Sequence, residues 1–420
     1  MKKWNSFLLL YFCYAFGSAQ SADIGKEYIS PVIKSVLFHK KDFPLSFPIL
    51  EMEEGSPLVL SFDEISDQPK NYYYSIILCN GNWTESRLSP SEYSSGLFSY
   101  PVSNYQASFN TEVHYVHYEI ELPGNDLLLT LSGNYLIKVF ENSDSDNPVL
   151  IKRFVLADKK IEIIAETKIP TLPEYRATSH QLNFSILHTD FPISNPYNEI
   201  SVVITKNFDW NTSLSSLKPL FIKNGILDYN YDKENVFIAG NEFRSFNINS
   251  RKYPSPQVVS FDDDNTSYTA NLAKDKPRNN YFFKEDINGL FVIENKDLRN
   301  PDNSLEADYF RVKFSLQANI VPADGDIFIY GALTNYSFTE ENRLNYNEAE
   351  NIYEASLFLK QGYYDYQYVL IPKNKNSFDE SEIEGSFFET ENNFFIFVYY
   401  RGFGMRYDKL IGYKRVVMTR

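Results

Sequence analysis

His114 and His117 stand three residues apart, a spacing at which two imidazoles on a helix could share a metal ion. Their surroundings, however, alternate between apolar Val116, Tyr118, Ile120 and Leu122 and polar His117, Glu119 and Glu121, which is the period of a β-strand. Positions an odd number apart on a strand face opposite sides, so the pair is expected to hold no metal jointly. Asp262, Asp263 and Asp264 offer oxygens to a hard cation, yet lack the alternate spacing and closing Glu of a calcium loop; the run reads as a solvated loop. Cys79 follows Ile76-Ile77-Leu78 with no basic or histidine neighbour to lower its pKa, so an inert buried thiol is expected. The nucleophile-elbow, phosphate-loop and dinucleotide glycine motifs are absent from the sequence. The carboxylate pair of a glycoside hydrolase leaves no linear signature, and nothing here selects one. No catalytic residue, metal ligand or cofactor is assigned, and the expectation is a protein that is not an enzyme.

Aromatic side chains offer a different chemistry. The run Gly362-Tyr363-Tyr364-Asp365-Tyr366-Gln367-Tyr368, with Ile329-Tyr330-Gly331-Ala332 before it, resembles early-set carbohydrate-binding sandwiches of the glycogen-binding type. Stacked tyrosines can cover a sugar face, but alternate tyrosines also fill a sandwich core or line a protein interface, and no tryptophan follows residue 210. Tyr363, Tyr364, Tyr366, Tyr399 and Tyr400 are therefore read first as candidate interface residues.

The elements that would position these groups are strands almost throughout. Phe and Tyr alone number 34 and 32 of 420 residues, a composition suited to pleated, half-buried surfaces. Phe310, Val312, Phe314 and Leu316 alternate with Arg311, Lys313, Ser315 and Gln317, and Tyr364-Tyr366-Tyr368-Leu370 repeats the pattern. Ile161-Glu162-Ile163-Ile164 and Ile200 to Ile204 read as strands buried on both faces. Strands recur every ~8–12 residues between turns such as Asn80-Gly81-Asn82 and Ser132-Gly133-Asn134, the rhythm of β-sandwiches. The expected fold is all-β, with tandem immunoglobulin-like or early-set sandwiches at residues 28–158, 159–300 and 305–420. A long polar insertion is expected near 251–281, and polar joints near Asp158 and Asn300 are expected to let the units shift.

Residues 1–19 have the basic start, apolar core and small-residue end of a secretory signal peptide. Cys13 falls in that core, which leaves Cys79 alone and an internal disulfide excluded. No later stretch reaches the ~18 apolar residues of a membrane-spanning helix. The formal charge of -15 becomes -17 when Lys2 and Lys3 leave with the signal, which disfavours nucleic acid as a partner.

Read in order, phrases spread along the chain resemble one family, that of the type IX secretion system plug, formerly a domain of unknown function. They include Cys79-Asn80-Gly81-Asn82-Trp83, Ser132-Gly133-Asn134-Tyr135, Asn207-Phe208-Asp209-Trp210, Gly240-Asn241-Glu242-Phe243, Gln361-Gly362-Tyr363-Tyr364 and Val398-Tyr399-Tyr400-Arg401. Cys79, Trp83, Gly133, Tyr135, Gly240 and Phe243 are taken as its structural motif. Gly81 and Lys206 depart from the family's pattern. The resemblance implies a non-enzymatic plug in the periplasm, peripheral at the inner face of the outer membrane. Its partner would be the outer-membrane secretion pore, with no small-molecule substrate and no span of its own. A periplasmic or surface carbohydrate-binding protein is the alternative.

Overall fold

The computed structural model describes residues 26–418 apart from 54, 125, 143, 216, 264–266, 319–324, 375 and 376. The expected signal peptide and Asp264 lie outside the described residues.

The fold is all-β, three sandwiches of mainly antiparallel sheets, as the alternation predicts. In the first, one sheet is built on Tyr72–Cys79, Gly133–Glu141 and Pro148–Ala157, the other on Ile33–Lys40, Leu58–Glu64 and Val116–Leu122. Their facing side chains, among them Leu60, Phe62, Tyr118, Tyr135 and Phe154, form its core. Tyr135 stacks on Phe154 and its hydroxyl donates to the Leu131 carbonyl at 2.6 Å, so this motif residue is an internal brace.

The other two units are not consecutive in the chain. Glu162–Lys168 and Ser179–Leu187 open the second sandwich, but the sheet facing them places Ile200–Lys206 beside Asn392–Tyr400, followed by Lys409–Met418. Phe394, Ile396 and Val398 thus share a core with Leu182, Phe184 and Ile186. The third sandwich is inserted between these halves. One of its sheets joins Arg244–Asn247, Phe291–Ile293 and Gly325–Tyr330 to Gly362–Pro372, and the other includes Tyr309–Gln317 and Ile352–Lys360. The ranges 159–300 and 305–420 expected from sequence therefore differ from the strand pairing. Alternation identifies a strand but says nothing of which strand, a hundred residues away, completes its hydrogen bonds.

The supposed insertion at 251–281 contains paired strands, Val258–Asp263 and Tyr268–Leu272, and the latter runs parallel to Tyr309–Gln317 in the third sandwich. Tyr268, Ala270 and Leu272 are buried there, so the polar composition belongs to the segment's outer face. Ile164, expected to be buried, is 56% exposed because Glu162–Lys168 is an edge strand whose one covered face takes Ile163.

Candidate functional site at the junction of the sandwiches

The sheet carrying Ile200–Lys206 and Asn392–Tyr400 is covered twice. One face closes the second sandwich; the other lies on the first, where Phe47, Cys79, Trp83, Leu136, Val203, Phe395, Phe397, Tyr399 and Leu410 make a separate apolar core. Being a middle layer explains why the tract Asn392 to Tyr399 is buried at every position. The Trp83 indole meets Trp210 edge to face at 4.8 Å between ring centres, and the Arg153 guanidinium covers Trp83 at 4.6 Å. Tyr399 donates its hydroxyl hydrogen bond to Asn134 across the junction at 2.7 Å. Burial, the largest effect, pushes the Cys79 thiol up to about 12, and it is unreactive at neutral pH.

Gly81 and Lys206 both act at junctions. A Cβ on Gly81 would lie 3.1 Å from the Tyr399 ring, and the Gly81 amide donates to the Asp408 carboxylate at 2.9 Å. Lys206 is buried between the second and third sandwiches, where its ammonium pairs with Glu380 and donates to the Ile238 carbonyl.

The first and third sandwiches meet through charge. Asp63 and the Lys360 ammonium are 2.7 Å apart, both side chains almost wholly buried. Tyr309 donates to the same carboxylate at 2.7 Å, and His117 Nδ1 lies 2.6 Å from its other oxygen. Lys360 also donates to the Ser304 carbonyl and sits 4.1 Å from the centre of the Tyr115 ring. Burial pushes the Asp63 pKa upward, but the Lys360 ammonium and the His117 hydrogen bond prevail and hold it below 3.8. For His117 burial acts downward, yet its hydrogen bonds to Asp63 and Glu119 keep the imidazole above 6.5. The nearby His114 is exposed and pairs with Asp67 at 2.8 Å, so the two histidines serve different carboxylates. Among the described residues no group of three or more His, Cys, Asp or Glu is placed to hold a metal ion.

Both expected joints carry contacts between the units. Asp158 donates its amide to the Leu410 carbonyl and its carboxylate bridges Lys160 and Lys409. Beyond Asn300, Leu305 accepts from the Phe109 amide, while Ser304 and Ala307 accept from the Tyr115 hydroxyl. The chain crosses between the second and third sandwiches twice, and the crossings bond to each other. Gly240, at a φ of +70° that favours glycine, accepts from Phe387 and Thr390, and Asn241 donates to Glu384. Phe243 anchors the crossing, its amide donating to the Asp286 carboxylate.

Of the tyrosines expected at an interface, Tyr364 and Tyr366 are core residues of the third sandwich. Tyr366 and Tyr368 both donate to Asp275, which pairs with Arg244, so their hydroxyls are committed internally. Tyr399 serves an interface, but one within the chain. Tyr363 and Tyr400 are half-buried, and Tyr400 packs against Phe191. The sequence pattern could have found the core tyrosines, since they sit at every second position.

Exposed apolar residues gather elsewhere. The loop Gly402-Phe403-Gly404 projects Phe403 fully into solvent, and Arg406 three residues on pairs with Glu92. Glu92 precedes Leu97 and Phe98, both exposed, and the pairing of Ser95 with Leu128 adds exposed Leu128 to the same end. No periodicity marks these residues, because Leu97, Phe98 and Phe403 lie in loops and Leu128 in a strand of two residues.

A cavity of about 270 Å³ opens where all three sandwiches converge. The first contributes Phe38 and Phe47, the second Asn207 to Asn211, and the third Leu290, Tyr336 and Phe338. Asp209, raised to about 6 chiefly by burial, accepts there from Tyr330 at 2.7 Å and from the Asn211 amide.

Comparison with known proteins gives two findings. Residues 33–158 match the family described as type 9 secretion system plug protein, first domain. A crystal structure of a hypothetical protein from Parabacteroides merdae is similar over 93% of this chain and 98% of its own, with 30% identity and a TM-score of 0.89. No curated protein matches.

Proposed function

Because this chain belongs to the type IX secretion system plug family, we propose that it closes the periplasmic end of the outer-membrane secretion pore and is released during export. The observation that carries this reading is the match of the first sandwich to the plug domain. In it the protein works by occupying space and catalyses nothing. Three sandwiches joined through buried contacts suit that task, since a closure must hold its shape against the channel it fills. Release sets an opposite demand: the contact with the pore must be broad enough to exclude solutes yet weak enough to be displaced within a working cycle. A few exposed anchors such as Phe98, Leu128 and Phe403 near one end of the first sandwich suit such a contact. No helix among the described residues is long and apolar enough to cross a membrane, which agrees with a peripheral position at the inner face of the outer membrane.

Glycan binding loses the observation that favoured it, because Tyr364, Tyr366 and Tyr368 are buried with their hydroxyls engaged.

The test is uptake of a large antibiotic, ordinarily stopped by the outer membrane, in cells lacking this protein, with and without the secretion pore. Sensitivity that vanishes when the pore is also deleted is the expected result. Unchanged resistance in cells that retain the pore would overturn the plug reading.

A further inference from the structure

One sheet of the second sandwich ends in an open edge. Among the described residues, Glu162–Lys168 pairs with Ser179–Leu187 on one side and with no strand on the other. The Leu182 amide and the Phe184 carbonyl bond to Asn235 and Tyr229 on the far side of Ser179–Leu187. The odd-numbered residues of that strand therefore bond to Glu162, Ile164, Glu166 and Lys168, their partners in register. This leaves the amides and carbonyls of Ile163, Ala165 and Thr167 pointing outward along the edge. Lys409–Met418, the edge strand of the facing sheet, does not pair with them, and a groove of about 740 Å³ lies between residues 165–169 and 416–418.

The side chains on this edge select what can pair with it. Glu162, Ile164 and Glu166 are exposed, Lys168 is half-buried, and the three charged groups make no ion pair among the described residues. The strand has no proline, glycine or bulge, devices that commonly keep an edge from pairing. Charge is the device that remains, and here it complements itself under two-fold rotation. Two antiparallel copies can join their outward backbone groups in three registers of long overlap. Centred on Ile164, Glu162 would face Glu166; centred on Glu166, that residue would face its own counterpart. Centred on Ala165, all 7 residues pair, Glu162 faces Lys168 at both ends, and Ile164 lies against the aliphatic stem of Glu166. Like charges directly opposite oppose the first two registers, and opposite charges favour the third.

We propose that Glu162–Lys168 is a self-pairing edge, through which two copies of this chain join their second sandwiches into one antiparallel sheet with Ala165 on the two-fold axis. Ala165 bonds to its counterpart, and Ile163 to Thr167 of the other copy, so every outward amide and carbonyl of the edge finds a partner. The even-numbered residues then form the closely spaced pairs, which brings the Glu162 carboxylate to the Lys168 ammonium and covers Ile164. The interface is isologous and small, so the dimer is reversible, with a Kd of ~100 µM. The inference stands independently of the plug reading, because it uses only this edge.

Sedimentation velocity of the full chain from about 5 to 500 µM tests this, a range that brackets the expected Kd. A concentration-dependent monomer–dimer equilibrium is expected. Glu162→Lys and Lys168→Glu each set like charges opposite one another at both ends and should weaken the dimer about 10-fold. The chain carrying both substitutions again has opposite charges in register and should regain the wild-type Kd. Ala165→Pro removes the central outward donor and should abolish association; that amide is not bonded to Ser179–Leu187, so circular dichroism should report an intact fold. If that variant folds poorly, the charge exchange carries the test by itself. A chain that stays monomeric throughout would leave this edge to a strand of another protein, and the proposal would fall. A dimer indifferent to all these substitutions would lie elsewhere and overturn it, as would a double charge variant as weak as the singles.

Discussion

The first sandwich meets its two neighbours by opposite means. Against the second it presents Phe47, Cys79, Trp83 and Leu136 to Phe395, Phe397 and Leu410, an aromatic and aliphatic layer. Against the third it presents Asp63, His117 and Tyr115 to Lys360 and Tyr309, a buried cluster of charge and hydroxyl. The apolar layer gains from area removed from water and demands little of any one group. The charged cluster must recover a large desolvation cost through geometry, so it specifies how the third sandwich docks and depends on each member remaining in place. The two sheets of one sandwich thus make one junction whose cost is spread over many side chains and one that rests on a few charged groups.

The largest expected effect comes from breaking the ionic junction at one partner. Lys360→Met leaves the Asp63 carboxylate buried without its cation and should cost about 3–5 kcal/mol in urea unfolding. Adding Asp63→Asn should restore about 2 kcal/mol, since the unpaired charge is then gone. A double variant as unstable as the sum of the singles would show that the pair is not coupled.

The apolar junction should lose somewhat less. Leu410→Ala removes a fully buried side chain and should cost about 3 kcal/mol, with the same value in low and high salt. A strong salt dependence would mean that the nearby Lys409–Asp158 pair, not the apolar layer, carries this contact.

The smallest effect sharpens the contrast through pH. His117 has a folded pKa held above 6.5, so its contribution is fully present below 6.5 and is lost as pH rises through the raised value. Asp63 runs the other way: held below 3.8, it contributes above that pH and loses its part only as acid carries the solution through the depressed value. Asp209 and Asp365, raised to about 6 and about 7 mainly by burial, also lose stability as pH rises. The difference between the wild type and His117→Gln isolates the imidazole, and it should shrink between pH 6 and pH 9 while Leu410→Ala keeps a constant cost. A difference independent of pH would remove the charged imidazole from the account of this junction.

Particular residues show where sequence reading stops. The strand Tyr309–Gln317 was legible because each apolar residue faces the core and each polar one faces water, so the alternation is written into the residue types. Trp83 and Cys79 could be recognised as structural residues, yet their role in joining two sandwiches could not, because an inter-domain core has the same composition as a domain core. The Asp63–Lys360 pair spans 297 positions and looks in sequence like two ordinary strand residues. The cavity escapes for a related reason: Phe47, Trp210 and Tyr336 come from three separate sandwiches.

By itself the sequence determined that this protein is built of strands, that Cys79 has no partner, and that its phrases resemble the plug family, since these follow from residue type and near spacing. Only the tertiary structure decided that Asn392–Tyr400 completes the second sandwich, that the tyrosines near 364 turn inward, and that charge holds one junction and apolar packing the other. Those outcomes depend on which distant surfaces exclude water together, and a linear pattern with a period of two carries no record of them.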